Sequence, residues 1–182
     1  MPKGLKETSS QIAISGRLLA DTVTANSVFV EDRVDLQLNP LDNEVFVVTG
    51  VKIDFTEACV PATTTPGTYR LSQTASITKT QVGSSTEINN PNCIASSKIS
   101  AVAVSGAVEY YTALENNASD APPVNAEYLD IIATNDFHVG LLLSANYING
   151  ATVGINYRIY GYRAKADSAI YASLVQSEML SS

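Results

Sequence analysis

Glu44-Val45-Phe46-Val47-Val48-Thr49-Gly50-Val51-Lys52-Ile53-Asp54-Phe55-Thr56 is the stretch that decides how this chain folds. Its second half alternates Val51, Ile53 and Phe55 with Lys52, Asp54 and Thr56. That period of two sends successive side chains to opposite faces of a strand. Its first half, Val45-Phe46-Val47-Val48, is apolar on both faces. Gly50 between the halves is the expected place of a bulge, because glycine inside a strand often sits where the ladder slips.

The same alternation runs outward in both directions. Gln11 to Ala20 places Ile12, Ile14 and Leu18 on one face. Val28 to Leu38 sets Val34, Leu36 and Leu38 against Arg33, Asp35 and Gln37. Asn39-Pro40-Leu41-Asp42-Asn43 then reads as a turn, since proline fixes φ and Asp or Asn tolerates turn geometry. Beyond the Pro61 to Gly67 connection, Thr68 to Gln81 is a weaker strand with Tyr69, Leu71 and Ile77 as its apolar positions. Val82 to Ser97 is expected to be the longest loop. Lys98 to Leu114 gives one or two strands, with Val102 and Val104 on one face and Gly106 as a break. Glu115 to Asn125 is a further exposed loop. Tyr128 to Ala133, Phe137 to Tyr147 and Ala151 to Tyr162 complete the strands. Ile148-Asn149-Gly150 between the last two predicts a tight hairpin, for which Asn-Gly is the preferred pair.

The period changes in the tail. After Asp167, a good N-cap, Ile170, Tyr171, Leu174, Val175 and Met179 fall on one stripe at helical spacing. A helix of about twelve residues is marginal alone in water, so the stripe must dock, on the chain's own sandwich or on a neighbouring subunit. Glu178, and the lack of any Lys or Arg after Lys165, argue against a membrane surface. The expected fold is all-β: an antiparallel two-sheet sandwich, a jelly roll of about eight strands, with a short C-terminal helix. Residues 1–10 form an N-terminal arm, 11–163 the jelly roll, and 164–182 the helix and tail. An immunoglobulin-like sandwich is the competitor, but its strand-C tryptophan is missing.

Composition narrows the function. The 182 residues fit one domain, and apolar residues make up 45%. Charged residues are only 16%, against about 25% in ordinary globular domains. Ser, Thr, Asn and Ala replace them, which suits extracellular β proteins and subunits that pack against their own copies. Charge is depleted where surfaces must be desolvated. A net charge of −7 argues against a nucleic-acid binder, whose affinity comes from Lys and Arg on phosphates. Assembly of such copies needs complementary patches, salt or cations. No stretch is apolar for long enough to make a transmembrane helix. The start, Met1 to Glu7, lacks a signal peptide's apolar core. Cys59 and Cys93 are either bridged, worth up to about 4 kcal/mol in the chain-entropy picture, or two buried thiols.

Catalytic vocabulary is sparse. His138 follows Asp136 and Phe137, so Asp136 and His138 share a strand face with no nucleophile beside them. Cys59, Cys93 and His138 are too scattered for zinc. The acidic groups Glu31, Asp32 and Asp35, then Asp54 and Glu57, then Asp120, Glu127 and Asp130, could supply oxygen ligands between subunits; solvated carboxylates are the simpler reading. Tyr160 and Tyr162 share a face while Tyr157 points away, and buried or interfacial tyrosine is the default. Arg158, Arg163 and Lys165 form a basic cluster that, with Lys3 and Lys6, could meet an acidic neighbour or a lipid headgroup; ordinary surface charge is the simpler reading. Asn117-Ala118-Ser119 matches a glycosylation sequon. No catalytic, cofactor or metal residue is assigned, and the chain is not expected to be an enzyme.

A domain of this size ending in Gly154-Ile155-Asn156-Tyr157-Arg158-Ile159-Tyr160-Gly161-Tyr162-Arg163 and then a short helix resembles the small single jelly-roll capsid proteins of tailless icosahedral viruses. The resemblance lies in size, strand count, order of elements and charge-poor composition. It implies a virion protein that self-assembles into a shell. Its partners would be its own copies, with a second capsid protein or an internal membrane as further neighbours. The acidic balance departs from coat proteins with basic arms, so direct nucleic-acid contact is not expected. A non-catalytic carbohydrate- or receptor-binding module is the alternative.

Overall fold

Alternation becomes architecture in the computed structural model, which describes residues 4–23, 27–56, 67–105, 110–116, 126–145 and 151–180. Their strands are β1 (Leu5–Glu7), β2 (Ile12–Val23), β3 (Ser27–Asp35), β4 (Glu44–Phe55), β5 (Gly67–Thr78), β6 (Cys93–Ser105), β7 (Tyr110–Asn116), β8 (Asp130–Ile132), β9 (Asp136–Ala145) and β10 (Ala151–Ala166). A 3-10 turn, Pro40–Asp42, precedes β4, and a helix, α1 (Ser168–Leu180), follows β10.

The strands divide into two antiparallel sheets. The first runs β2-β10-β4-β8, with β1 also on β10; the second runs β3-β9-β5-β6-β7. Early strands pair with late ones: β2 with β10, β3 with β9, β4 with β8 and β5 with β6. That nested pairing is a long double-stranded ribbon rolled around a core, and it defines a jelly roll. Leu18, Phe46, Ile53, Ile77, Phe137, Leu141, Ile155 and Ile159 fill the space between the sheets. Each such side chain contributes about 1.5–3 kcal/mol when fully buried.

Topology overturns the predicted hairpin. β9 pairs with β3 and β5, whereas β10 pairs with β1, β2 and β4. The chain between them therefore passes from one sheet to the other. Asn149-Gly150 itself lies outside the described residues. Local turn preference is a poor guide when consecutive strands belong to opposite sheets. The loop expected over Val82 to Ser97 is shorter, because β6 begins at Cys93, pairing with Thr78. Val28 to Leu38 ends as a strand at Asp35, since Gln37 takes a left-handed φ of 52°. Leu36 and Leu38 are buried nonetheless.

Strand β4 explains its own composition. Phe46 and Val48 enter the main core, while Val45 and Val47 join a second cluster with Leu5, Ile131, Ala133, Ala164 and Ala166. Ile170, Tyr171, Leu174 and Val175 of α1 pack on that cluster, so the helix docks on its own sandwich. Asp167 Oδ1 accepts from Ile170 N at 2.9 Å, as an N-cap does. Met179, expected on the docking stripe, is 69% exposed, and Glu178 beside it is buried.

The bulge falls where Gly50 predicts it. Tyr160 faces Gly50 and Gly161 faces Val48, which leaves Thr49 without a partner across the ladder. A Cβ at Gly161 would lie 2.6 Å from the Phe46 ring and collide with the Val47 carbonyl oxygen. Glycine is required there for close approach.

Candidate functional site

His138 lies on the outer face of the second sheet, beside β3. Its Nδ1 is 3.9 Å from Glu31 Oε1 and its Nε2 is 3.8 Å from Asp136 Oδ1. The two carboxylates face opposite nitrogens of the ring, so one metal ion cannot gather all three groups. Among the described residues no cluster of three His, Cys, Asp or Glu could hold a metal. Glu31 Oε1 also accepts from Val82 N at 3.1 Å, and Asp136 pairs with Arg33. The cluster thus ties the chain after β5 to the edge of the sheet. Asn92 secures the other end of that segment, donating to Thr80 Oγ1 at 2.6 Å and accepting from Thr80 N at 3.0 Å.

The acidic groups serve local structure. Asp32 Oδ1 accepts from Arg33 N at 2.9 Å, and Asp35 Oδ1 from Gln37 N at 2.8 Å. Asp130 pairs with Lys79 at 3.1 Å and accepts from Ile131 N at 2.7 Å. Asp54 pairs with Lys52 at 3.0 Å. Glu127 is exposed. Glu57, Asp120, Lys3 and the Asn117 sequon lie outside the described residues. So does Cys59; Cys93 is buried, with Sγ 3.4 Å from Ala95 O.

Tyr157 sits in the core, edge-on to Phe137 at 6.3 Å and 89°. Burial, reinforced by Asp32, pushes its phenol above the usual value. Tyr162 leans on the cluster beneath α1, and burial, then Glu7 and Tyr128, raise its phenol too. Tyr160 and Tyr162 are each half-buried, and Tyr162 packs on that cluster.

The basic cluster of Arg158, Arg163 and Lys165 is split by the fold. Arg163 donates to Leu36 O at 2.8 Å and pairs with Glu44 at 3.3 Å, closing one end of the sandwich. Lys165 pairs with Asp42 at 3.1 Å. Arg158 instead lies on the outer face of the first sheet with Arg17 and Lys52. These residues, with Ser15, Asp54 and Asn156, line a depression of about 550 Å³. Sequence reasoning missed this grouping because its members come from three strands. The signal was present: each occupies the polar phase of a period-two pattern, and only the β2-β10-β4 order brings them together.

Glu178 is the other residue that the sequence concealed. Its carboxylate accepts from Ala133 N at 2.8 Å and Thr134 N at 2.9 Å, fastening the end of α1 to the chain between β8 and β9. Burial raises its pKa above the ordinary value, although those bonds and Lys79 pull the other way.

Large apolar side chains also reach solvent. Leu41 is 93% exposed at the tip of the 3-10 turn, Ile88 is 72% exposed, and Leu180 is 79% exposed. Asn39 caps the Leu41 turn, donating from Nδ2 to Asp42 at 2.6 Å and accepting from Leu41 N at 3.1 Å.

The fold defines the class: a single jelly-roll β sandwich with a helix closing one patch of its outer surface. No family model matches the chain, and no curated protein does. Among solved structures it is similar to VP1 of Trichodysplasia spinulosa-associated polyomavirus, at 7% identity and a TM-score of 0.38, over 91% of this chain and 97% of that one. It is similar also to Turnip Yellow Mosaic Virus, at 10% identity and a TM-score of 0.30, over 87% and 94% of the two chains. Desmodium yellow mottle tymovirus gives 10% identity and a TM-score of 0.28, over 87% and 83%. The likeness to these viral proteins is one of broad architecture, and the fold assignment rests on the strand order above.

Proposed function

We propose that this chain is a structural virion protein, a capsid subunit that self-assembles into an icosahedral shell. The carrying observation is a rigid jelly roll that presents large apolar side chains at fixed points of a charge-poor surface. Leu41 is the clearest: its turn is held by Asn39, yet the side chain touches almost nothing in its own subunit. A neighbour that covers such a side chain takes its apolar surface out of water, which is worth about 25 cal/mol per Å². The nested ribbon supplies stiffness, and the loops and helix end supply contacts. The setting implied is the virion, and no helix among the described residues is long and apolar enough to cross a membrane. Jelly rolls also build lectin domains, so a carbohydrate- or receptor-binding module is the second reading.

Size-exclusion chromatography with light scattering, over a range of salt concentrations, separates the two. A capsid subunit elutes as symmetric oligomers or larger particles whose proportion changes with salt. A stable monomer at all concentrations that binds glycans on an array supports the module instead.

A further inference from the structure

Resting on the assembly reading, we propose that the open end of the first sheet's outer face is a cationic docking surface for the acidic surface of a second copy of this chain. Four basic residues elsewhere each hold a carboxylate of their own fold: Arg33 with Asp136, Lys79 with Asp130, Arg163 with Glu44 and Lys165 with Asp42. Arg17 and Arg158 differ. Among the described residues neither has an ion-pair partner, and Asp54, the carboxylate beside them, is taken by Lys52 at 3.0 Å.

Their placement is unfavourable for an isolated subunit. Arg17 faces Asn156 across the β2–β10 ladder, and Arg158 stands two residues further along on the same face. Diagonal neighbours of this kind sit roughly 7–8 Å apart at Cα, and like charges so placed repel. The face therefore gathers three cations against one carboxylate on a chain whose net charge is −7. Guanidinium groups on a sheet are preorganised forks for carboxylates. The abundant carboxylates during assembly are those of neighbouring copies, whose Asp32 and Asp35 are exposed on the edge strand β3. A positive face on a chain of net charge −7 makes the contact heterologous, which suits tiling. It also supplies the complementary patch that assembly of like-charged copies needs.

The test measures the concentration at which the purified full-length protein begins to assemble, by light scattering at low and high salt. Its variants are Arg17→Glu/Arg158→Glu, Arg17→Ala/Arg158→Ala and Arg17→Lys/Arg158→Lys. Thermal melts check that each is folded. The Glu variant is expected to raise the threshold about tenfold or more, the Ala variant by less, and the Lys variant least. Both Glu and Ala variants should also lose salt sensitivity, and if the Glu pair does not fold, the Ala pair decides the matter. A wild-type chain that assembles at a threshold neither variant moves overturns this inference while leaving the assembly reading intact. A wild-type chain that stays monomeric under every condition overturns both. Fluorescence anisotropy with a single-stranded DNA oligonucleotide completes the test. Binding that Arg17→Glu/Arg158→Glu abolishes, with assembly unchanged, gives the face to nucleic acid and overturns the proposal.

Discussion

At one end of the first sheet's outer face, Val45, Val47, Ala164 and Ala166 lie beneath helix α1. At the other end, on the same strands β4 and β10, Lys52, Asp54, Asn156 and Arg158 face water. On β4 both ends share an inner face packed in the main core, with Phe46 and Val48 at one end and Val51 and Ile53 at the other, so the two ends differ in what covers their backs. On β4 the covered end, Val45 to Val48, is apolar at every position and the open end alternates, while β10 alternates throughout, its Arg163 and Lys165 paired with Glu44 and Asp42. Strand β4 thus records in its own sequence where the sheet is capped, and the change of pattern near Gly50 marks the edge of the cap. The lesson extends to function, since a surface left uncapped is available to a partner.

The contrast can be attacked at paired positions. Val47→Asp places an unpaired carboxylate under α1 and should cost about 4 kcal/mol or prevent folding. The same change at Lys52, on the open end of β4, should stay within roughly 0.5 kcal/mol of wild type, because surface ion pairs contribute little. Urea denaturation of the two variants measures the difference, and equal costs would show that the helix is no cap. Gly161→Ala should follow, at about 3 kcal/mol, because the collision partners include backbone that cannot step aside.

Glu178→Ala should cost about 2 kcal/mol by leaving Ala133 and Thr134 N–H groups without their carboxylate. The pH dependence has a definite sign. Because burial raises the folded pKa above 4.5, the folded state holds the proton more tightly than the unfolded state. Glu178's contribution to stability is therefore full below 4.5 and falls as pH rises through the elevated value. Glu178→Gln should flatten that slope, as read from denaturation midpoints across pH. The smallest effect belongs to Arg158→Ala, within about 0.5 kcal/mol; a larger loss would mean that the open face stabilises the fold itself.

Most of the fold was legible in the sequence because a half-buried strand has a pattern of its own. Val51, Ile53 and Phe55 announce an inner face, and Ile170 to Val175 announce a docking helix. Pairing was less legible, because hydrogen bonds between β2 and β10 join residues more than a hundred positions apart. Asn149-Gly150 misled for that reason: its local signal is sound, but β9 and β10 belong to different sheets. Glu178 was hidden because a carboxylate in a helix reads as solvent-facing until two amide donors are seen beside it. The basic face was hidden differently. Arg158 was visible, yet its true neighbours Arg17 and Lys52 come from β2 and β4, while Arg163 and Lys165 turn away to their own partners.

Electron microscopy of negatively stained wild-type protein, taken from high to low concentration and across salt, bears most directly on what this sandwich is for. Closed particles of uniform diameter, dissolving when salt screens the contacts, are the expected result. A field of single subunits under every condition, alongside a melting curve showing the chain fully folded, would contradict it.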